Sequence, residues 1–528
     1  MNKLRNKKRL NKEYPQPLKA AVLALALSAA MTPAGSRAAD ITVDVGGTCT
    51  LAEAITSAND DDAAGNGCVT GSGADTITLE KDVTLSAALP EITSTVTIEG
   101  SGHTIDSTNV AGTTVLRVSS SGDLTLNETT VTGGNTDGME YPEFLGGGIR
   151  NEGTLTLNNS IVTGNTAGYG GGIGNYHGQV TLTNSIVSGN TAGNDGGGID
   201  NYYGQVTLTN STVSGNTAGG YGGGIHNDGT ATLDNSTISG NSAMYVGGGI
   251  DNWGTATLNN TTVSGNTAGD YGGGIFNYYS STTTLTDSIV SGNTAGGYGG
   301  GICNYSSYSD YLGDQDTLAN STVSGVTLTN STVSGNTADS GGGGIDNGFY
   351  GQVTLTNSTV SSNTAGDYGG GIDNWGTATL NNSIVSGNTA AFANEIYNYD
   401  SIDADSFNLF GHSGETNAMA FTGFTPTHGL GSDFVATSDG GGRPTALLSI
   451  LSPLADNGGP TLTHALPECS PAINLDASCS TGLSTDQRGY SRPIYGSCDA
   501  GSVEMDYGSS YSCGKISLAP IYLLLLNK

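Results

Sequence analysis

Asp200, His226 and Asp251 each follow the isoleucine of a Gly-Gly-Gly-Ile motif, and so do Asp346 and Asp373. When repeats stack, matching positions fall into one column, so this spacing gathers acids and an imidazole from distant parts of the chain. Two chemistries suit such a column. Closely set carboxylates serve as the general acid and base of glycoside hydrolysis. Stacked carboxylates also suit calcium, which takes about six to eight oxygens. The same position holds Arg150, Gly174, Phe276 and Cys303, and that drift in type fits side chains that are simply solvated. Three readings therefore stand: a polar surface, a calcium site at Asp200, Asp251, Asp346 and Asp373, or a set of catalytic acids. A lyase acting on acidic polysaccharide would need a strong base, yet Arg150 is the only basic side chain between residues 118 and 442. No repeat carries the Gly-Gly-x-Gly-x-Asp signature of calcium-binding β-rolls. We assign no catalytic residue from the sequence.

A second group lies just after each Ile-x-Asn: Tyr176, Tyr202, Tyr203, Trp253, Tyr278, Tyr279, Tyr305, Phe349, Tyr350 and Trp375. Repeat lengths vary at this same corner. Variable corners on a regular scaffold are where binding tends to reside, and aromatic faces suit sugar rings or protein partners. The alternative is that the rings only stack on one another and stabilise the turn.

The elements that must carry these residues follow from the repeat. Gly-Gly-Gly-Ile occurs nine times, at Ile149, Ile173, Ile199, Ile225, Ile250, Ile275, Ile302, Ile345 and Ile372, and every gap but one is 24 to 27 residues. The exception, from Ile302 to Ile345, is 43. It holds a near-duplicate of Asn-Ser-Thr-Val-Ser-Gly and predicts an excursion at Ser306 to Asp316. An Asn follows each Ile by two positions, and a second Asn precedes seven of the isoleucines by nine. Within a repeat such as 205–225, Val206, Leu208 and Val213 alternate with Thr and Ser, which is the strand period. Asn and Gly supply the bends. Two or three short strands per lap predict an all-β parallel β-helix. Roughly fourteen laps at about 4.8 Å each make a rod on the order of 65 Å long, in which the recurrent Asn form ladders of side-chain amides.

The paired Gly-Gly-Gly-Ile and Val-Ser-Gly-Asn motifs resemble the short repeats of polymorphic outer-membrane proteins. That resemblance implies a right-handed, pectin-lyase-like β-helix at a bacterial surface. Cys49-Thr-Leu-Ala-Glu-Ala-Ile55 resembles the CSLREA domain that opens many secreted β-helix proteins, with Thr for Ser and Ala for Arg. Leu454-Ala-Asp-Asn-Gly-Gly-Pro460, Thr485-Asp-Gln-Arg-Gly489 and Cys498-Asp-Ala-Gly-Ser-Val-Glu504 are similar to the C-terminal domain called choice-of-anchor. These families imply secreted or surface proteins and supply no catalytic residues.

Residues 1–39 read as a signal peptide: a basic start, an apolar run from Ala20 to Ala30, and Ser36-Arg37-Ala38 for cleavage. The apolar run is too short for a span, which takes about 20 residues. The chain carries a net charge of −31. Beyond residue 38, eight Lys and Arg face 46 acids, a charge of −38. Such a surface repels nucleic acid and anionic membranes, so nucleic acid is excluded as a partner. Seven cysteines in an exported chain favour disulfides. Cys49 and Cys68 bracket Thr50-x-x-Glu53, a capping-box spacing that opens a short helix over Leu51 to Ala58. The pairing of Cys469, Cys479, Cys498 and Cys513 stays open, and Cys303 is expected free and buried. The expected plan is a signal at 1–39, a cap at 40–75, β-helix repeats at 76–430, a small C-terminal domain at 431–506 and a degenerate sorting or anchor tail at 507–528. No barrel-type strands follow the repeats, so an autotransporter is not expected. The reading overall is a secreted or outer-membrane adhesive or structural stalk, binding glycans or surface proteins through its aromatic edge, with no cofactor unless calcium. Its rival is a polysaccharide hydrolase or lyase using the stacked aspartates.

Overall fold

Alternation in Gln205–Thr209 turns Val206 and Leu208 inward and leaves Gln205, Thr207 and Thr209 facing out. Asn210 then bends the chain at φ 51°, a left-handed value that Asn tolerates. Thr212–Ser214 follows with Val213 inside, Gly215 bends at φ 62°, and the two-residue strand Thr217–Ala218 leads to the glycines and to Ile225–Asn227. One lap thus holds four strands, against the two or three expected, because the Thr-Ala pairs also find ladder partners.

Stacked laps build parallel sheets, and the fold is the expected right-handed parallel β-helix. We name the sheets in the order the lap visits them. The first and second have fourteen strands each, the third eight and the fourth twelve. The first sheet begins with Asp40–Val43, ahead of the cap, so thirteen of its strands, one per lap, run from Asp75–Leu79 through Ser401–Asp403, close to the fourteen laps expected. The computed structural model describes residues 38–506 apart from 45, 63–66, 140–144, 307–323, 405, 430–431 and 495. The signal segment through Arg37, the predicted excursion beyond Ser306, and the tail from 507 with Cys513 lie outside the described residues.

The glycines are dictated by closeness. A Cβ on Gly248 would lie 2.5 Å from the carbonyls of Thr267 and Gly273, and one on Gly249 would lie 2.6 Å from the carbonyl of Gly274. Neighbouring laps touch backbone to backbone there, and only Gly fits.

Two asparagine ladders run inside the rod. In one, Nδ2 of Asn165, Asn190, Asn216, Asn241, Asn266, Asn293, Asn336 and Asn363 each donates to Oδ1 of the next Asn, ending at Asn388, at 2.9–3.0 Å. In the other, the Asn two after each Ile donates likewise, as from Asn201 to Asn227 at 2.7 Å. Both sets are buried. The bends belong to a third Asn series (Asn159, Asn184, Asn210 and their equivalents), which takes the positive φ.

At the N-terminal end the helix Leu51–Asp60 covers the first laps, with Thr50 and Glu53 forming both bonds of the capping box. Cys49 and Cys68 are bridged as expected. At the other end, residues 431–506 are not set apart. Phe434–Val435 is still a strand of the second sheet, and the following segment lies back along that sheet's outer face. Gln487 bonds Ser288 O and Thr332, Ser502 reaches Thr332, and His464 reaches Ser334. Thr332 and Ser334 are consequently buried, while their equivalents Thr212 and Ser214 are half-exposed. Cys479 pairs with Cys498, Cys469 is also disulfide-bonded, and Cys303 is free and buried. Among the described residues no helix is long and apolar enough to cross a membrane.

Candidate functional site

The fourth sheet carries the residues singled out by their chemistry. In Ile225–Asn227 the Ile and Asn point inward and His226 points out, and the same holds for Asp200, Asp251, Asp346 and Asp373 in their strands. Pairing places Asp200, His226 and Asp251 in register on three consecutive laps and Asp346 beside Asp373.

The four aspartates are not solvated. Their exposures are 5%, 0%, 1% and 0%, and His226 is also buried. Cover comes from the stretch four residues before each Ile, which folds over the column. It holds Tyr169, Tyr221, Tyr271, Tyr298 and Tyr368, with bridges such as Tyr271 to Tyr298. Five of the nine motifs read Tyr-Gly-Gly-Gly-Ile, while the laps of Asp200, Asp251 and Asp346 carry Asp195, Val246 and Gly341 at the Tyr position.

Burial sets the electrostatics. His226 Nδ1 lies 2.6 Å from Asp251 Oδ2, and Nε2 lies 3.5 Å from Asp228 Oδ1. Trp253 Nε1 donates to Asp251 Oδ2 at 3.0 Å. Burial opposes charge on the ring, but Asp228 and Asp251 outweigh it and hold the His226 pKa well above its ordinary range. Burial also raises Asp251, only partly offset by His226, and lifts Asp200 to about 7. In the second cluster Cys303 Sγ donates to Asp346 Oδ2 at 3.2 Å. Burial lifts Asp346 to about 7, and burial together with Asp346 lifts Asp373 to about 8. Asp200, Asp346 and Asp373 are acids that retain protons near neutrality.

Calcium does not fit this donor set. An imidazole stands between Asp200 and Asp251, and a thiol stands beside Asp346, where calcium takes hard oxygen ligands.

The aromatic edge is broken into separate stacks. Tyr176 and Tyr202 lie face to face, 4.9 Å apart at 8°. Tyr203, at φ 52°, turns out at the corner and stacks on His177. Asp228 takes the aromatic place on the next lap, and Trp253 follows, 40% exposed and 4.5 Å from Tyr278. Tyr278 is buried with Phe276 and Cys303, and Tyr305 packs against that cluster. Tyr279 and Tyr350 are exposed corner residues at φ 62° and 60°. Trp375 stacks on Tyr399 at 4.6 Å and meets Phe349 at 5.2 Å. The sequence reading included Tyr278 and Tyr305 as ligand contacts; their packing makes them supports instead. It missed Asp195, Asp228, Tyr397 and Tyr399, which carry no Ile-x-Asn-aromatic signature or lie past the last full motif.

A separate polar group closes the C-terminal end. Glu395, His412 and Glu415 bring one ligand atom each within 4.8 Å of one another. Gly414 N–H donates to His412 Nδ1 at 2.9 Å, which leaves the ring proton on Nε2, the nitrogen facing Glu415. A metal there would have to displace that proton. Burial, then Glu415, pushes Glu395 well above the carboxylate range, so this group shares protons.

A family model described as "Putative pectate lyase-like adhesive domain" matches residues 70–169, the first laps of the rod. No curated protein matches the chain. Among solved structures, that of pectate lyase Pel9A aligns over 82% of this chain and 88% of its own, at 15% identity and a TM-score of 0.32.

Proposed function

We propose that this chain is an exported adhesive β-helix that contacts glycans or surface proteins through the fourth-sheet edge. The carrying observation is that Tyr203, Trp253, Tyr279, Phe349, Tyr350 and Tyr399 are exposed along one corner of successive laps, beside a second exposed group, Tyr221, Tyr245, Tyr368 and Phe392, on the stretch before the glycines. The matched adhesive-domain model and the disulfides support export and adhesion. The burial of Asp251, Asp346 and Asp373 supports binding over turnover, since a general acid must reach the glycosidic oxygen.

The test is a glycan array and a cell-surface adhesion assay with the purified chain, run beside a product assay on neutral polysaccharides. Binding without new reducing ends or unsaturated product is expected. Combined Tyr203→Ala, Tyr279→Ala and Tyr350→Ala substitution should abolish adhesion. Release of product, lost in Asp251→Asn with binding kept, would establish the hydrolase or lyase instead.

A further inference from the structure

At the C-terminal laps the two aromatic rows meet across the fourth sheet. Phe392 stacks on Tyr368 with centroids 5.6 Å apart, and Tyr368 meets Tyr397 at 5.0 Å. Tyr397 meets Trp375 at 6.0 Å, Trp375 stacks on Tyr399 at 4.6 Å, and Phe349 touches both of these last two rings. Six rings therefore run unbroken from the stretch before the glycines to the corner. Four of them stand well in water: Phe392 is 60% exposed, Tyr399 63%, Tyr368 37% and Phe349 36%. That is the surface of about two whole aromatic residues, roughly 300–500 Å². A soluble chain rarely leaves more apolar surface than this open without a partner.

Shape and charge decide what covers the patch. Its rings form facets in place of a platform: Tyr397 is tilted 52° from Tyr368 and 34° from Trp375, and Phe349 is 57° from Trp375. A run of sugar rings asks for coplanar faces, whereas a cation asks for one face, within about 6 Å of its centroid. Acids bracket the rings. Asp367 adjoins Tyr368 and its carbonyl accepts from the Phe392 N–H at 2.7 Å, while Asp400 adjoins Tyr399; both acidic side chains are exposed. No Lys or Arg occurs from residue 151 to 442, so the laps supply no cation of their own. A second copy fits poorly, because its net charge of −31 repels and the patch is well under the roughly 800 Å² per partner of a standard interface. The molecule already makes the contact that suits such facets, with Arg488 Cζ 4.5 Å from the centroid of the Tyr490 ring. Arginine suits them better than lysine, since its planar, weakly hydrated guanidinium stacks on ring faces.

We infer that this patch docks an arginine-bearing, net-basic segment of a partner protein, with guanidinium groups against Phe392 and Tyr399 and with Asp367 and Asp400 answering the charge. The assignment rests on the adhesive reading and narrows its partner to a cationic protein segment.

In a Trp253→Phe background Trp375, inside the patch, is the sole tryptophan. An alternating glycine–arginine decapeptide should give a saturable change in its emission at physiological salt, and the lysine counterpart should bind about threefold more weakly or worse. Phe392→Ala with Tyr399→Ala should weaken the arginine peptide by about five- to thirtyfold. Asp367→Asn with Asp400→Asn should weaken it by about two- to tenfold and flatten its salt dependence. All four side chains are exposed. Circular dichroism checks folding, and Tyr399→Ala alone replaces the ring pair if the double variant unsettles the rod. No saturable response to the arginine peptide would overturn the assignment. So would an undiminished response in the ring variant, which would reduce binding to general attraction toward an acidic chain. Saturation by cellohexaose in place of the peptide, or a ring-dependent dimer in sedimentation, would overturn it too and give the patch to a glycan or a second copy. Cell adhesion that survives with a silent Trp375 would refute the patch and leave the adhesive edge standing.

Discussion

Removing one rung from an asparagine ladder should cost far more than its size suggests. Asn266 is fully buried. Its Oδ1 accepts from the backbone N–H of Asn241 at 2.9 Å and from Asn241 Nδ2 at 3.0 Å. Its Nδ2 donates to Ile238 O and to Asn293 Oδ1, each at 3.0 Å. Asn266→Ala deletes all four bonds. Asn241 Nδ2 keeps Val213 O, and Asn293 Oδ1 keeps the backbone N–H of residue 266, so those two groups lose only part of their bonding. The Asn241 N–H loses its ladder acceptor in a dry interior. An orphaned buried donor costs about 1–3 kcal/mol and each of the two lost partial bonds about 0.5–1.5, which sums to roughly 2–6 kcal/mol. The adjacent Thr267 is exposed, and its change to Ala should stay within about 0.5 kcal/mol. Because laps of a solenoid open locally, hydrogen exchange over residues 236–300 should be read beside urea unfolding. A cost for Asn266→Ala within about 1 kcal/mol of the Thr267 control would refute the ladder as a stabilising element.

Stability should also fall as pH rises. Asp200 and Asp346 titrate at about 7 and Asp373 at about 8 in the folded chain, against an ordinary 3.8. The native state therefore holds protons that the unfolded chain releases, and this stabilisation is lost as pH climbs through 7 to 8. The urea midpoint should drop between pH 5.5 and 8.5, and Asp373→Asn should shrink the drop; a midpoint that rises over that range would contradict the burial argument. Gly248→Ala should lower the thermal midpoint sharply, because its Cβ would lie 2.5 Å from backbone atoms of the next lap, whereas Ala at Gly325, the outward first residue of a first-sheet strand, meets nothing within 4 Å. Equal effects of the two substitutions would show that the laps are not in backbone contact at Gly248.

Most of the fold was readable because each lap repeats the same constraint. Ile at one period, alternating Val and Leu, and Gly where backbones touch leave one arrangement that hides every apolar side chain. The site was less legible for a specific reason. Asp200 and Asp251 sit on the outward face of their strands, and period-two reasoning makes an outward residue exposed. Nothing in that reasoning adds the stretch ahead of the glycines, with tyrosines such as Tyr169, Tyr221 and Tyr271 on neighbouring laps, that covers the fourth sheet. Tyr278 failed for the same cause: its column position promised exposure, and the covering of Phe276 and Tyr305 removed it. The docking of the C-terminal segment on the second sheet was not legible because its contacts, such as Gln487 with Ser288, span about 200 residues and leave no periodic trace.

The ladders have a direction. In every Asn-to-Asn rung of the two ladders the hydrogen is handed toward the C-terminus, so a rod cut at any lap would show bare rung donors on one stump and bare rung acceptors on the other, each the template for the other. At the C-terminal end the first row finishes on Glu395, which takes the last hydrogen from Asn388, and the other finishes on Asn398, which donates to the carbonyls of Asp400 and Gly423. These acceptors act as stoppers. Without them the finished end would advertise the same pattern as a broken one, and a second molecule's first lap would be the natural thing to answer it.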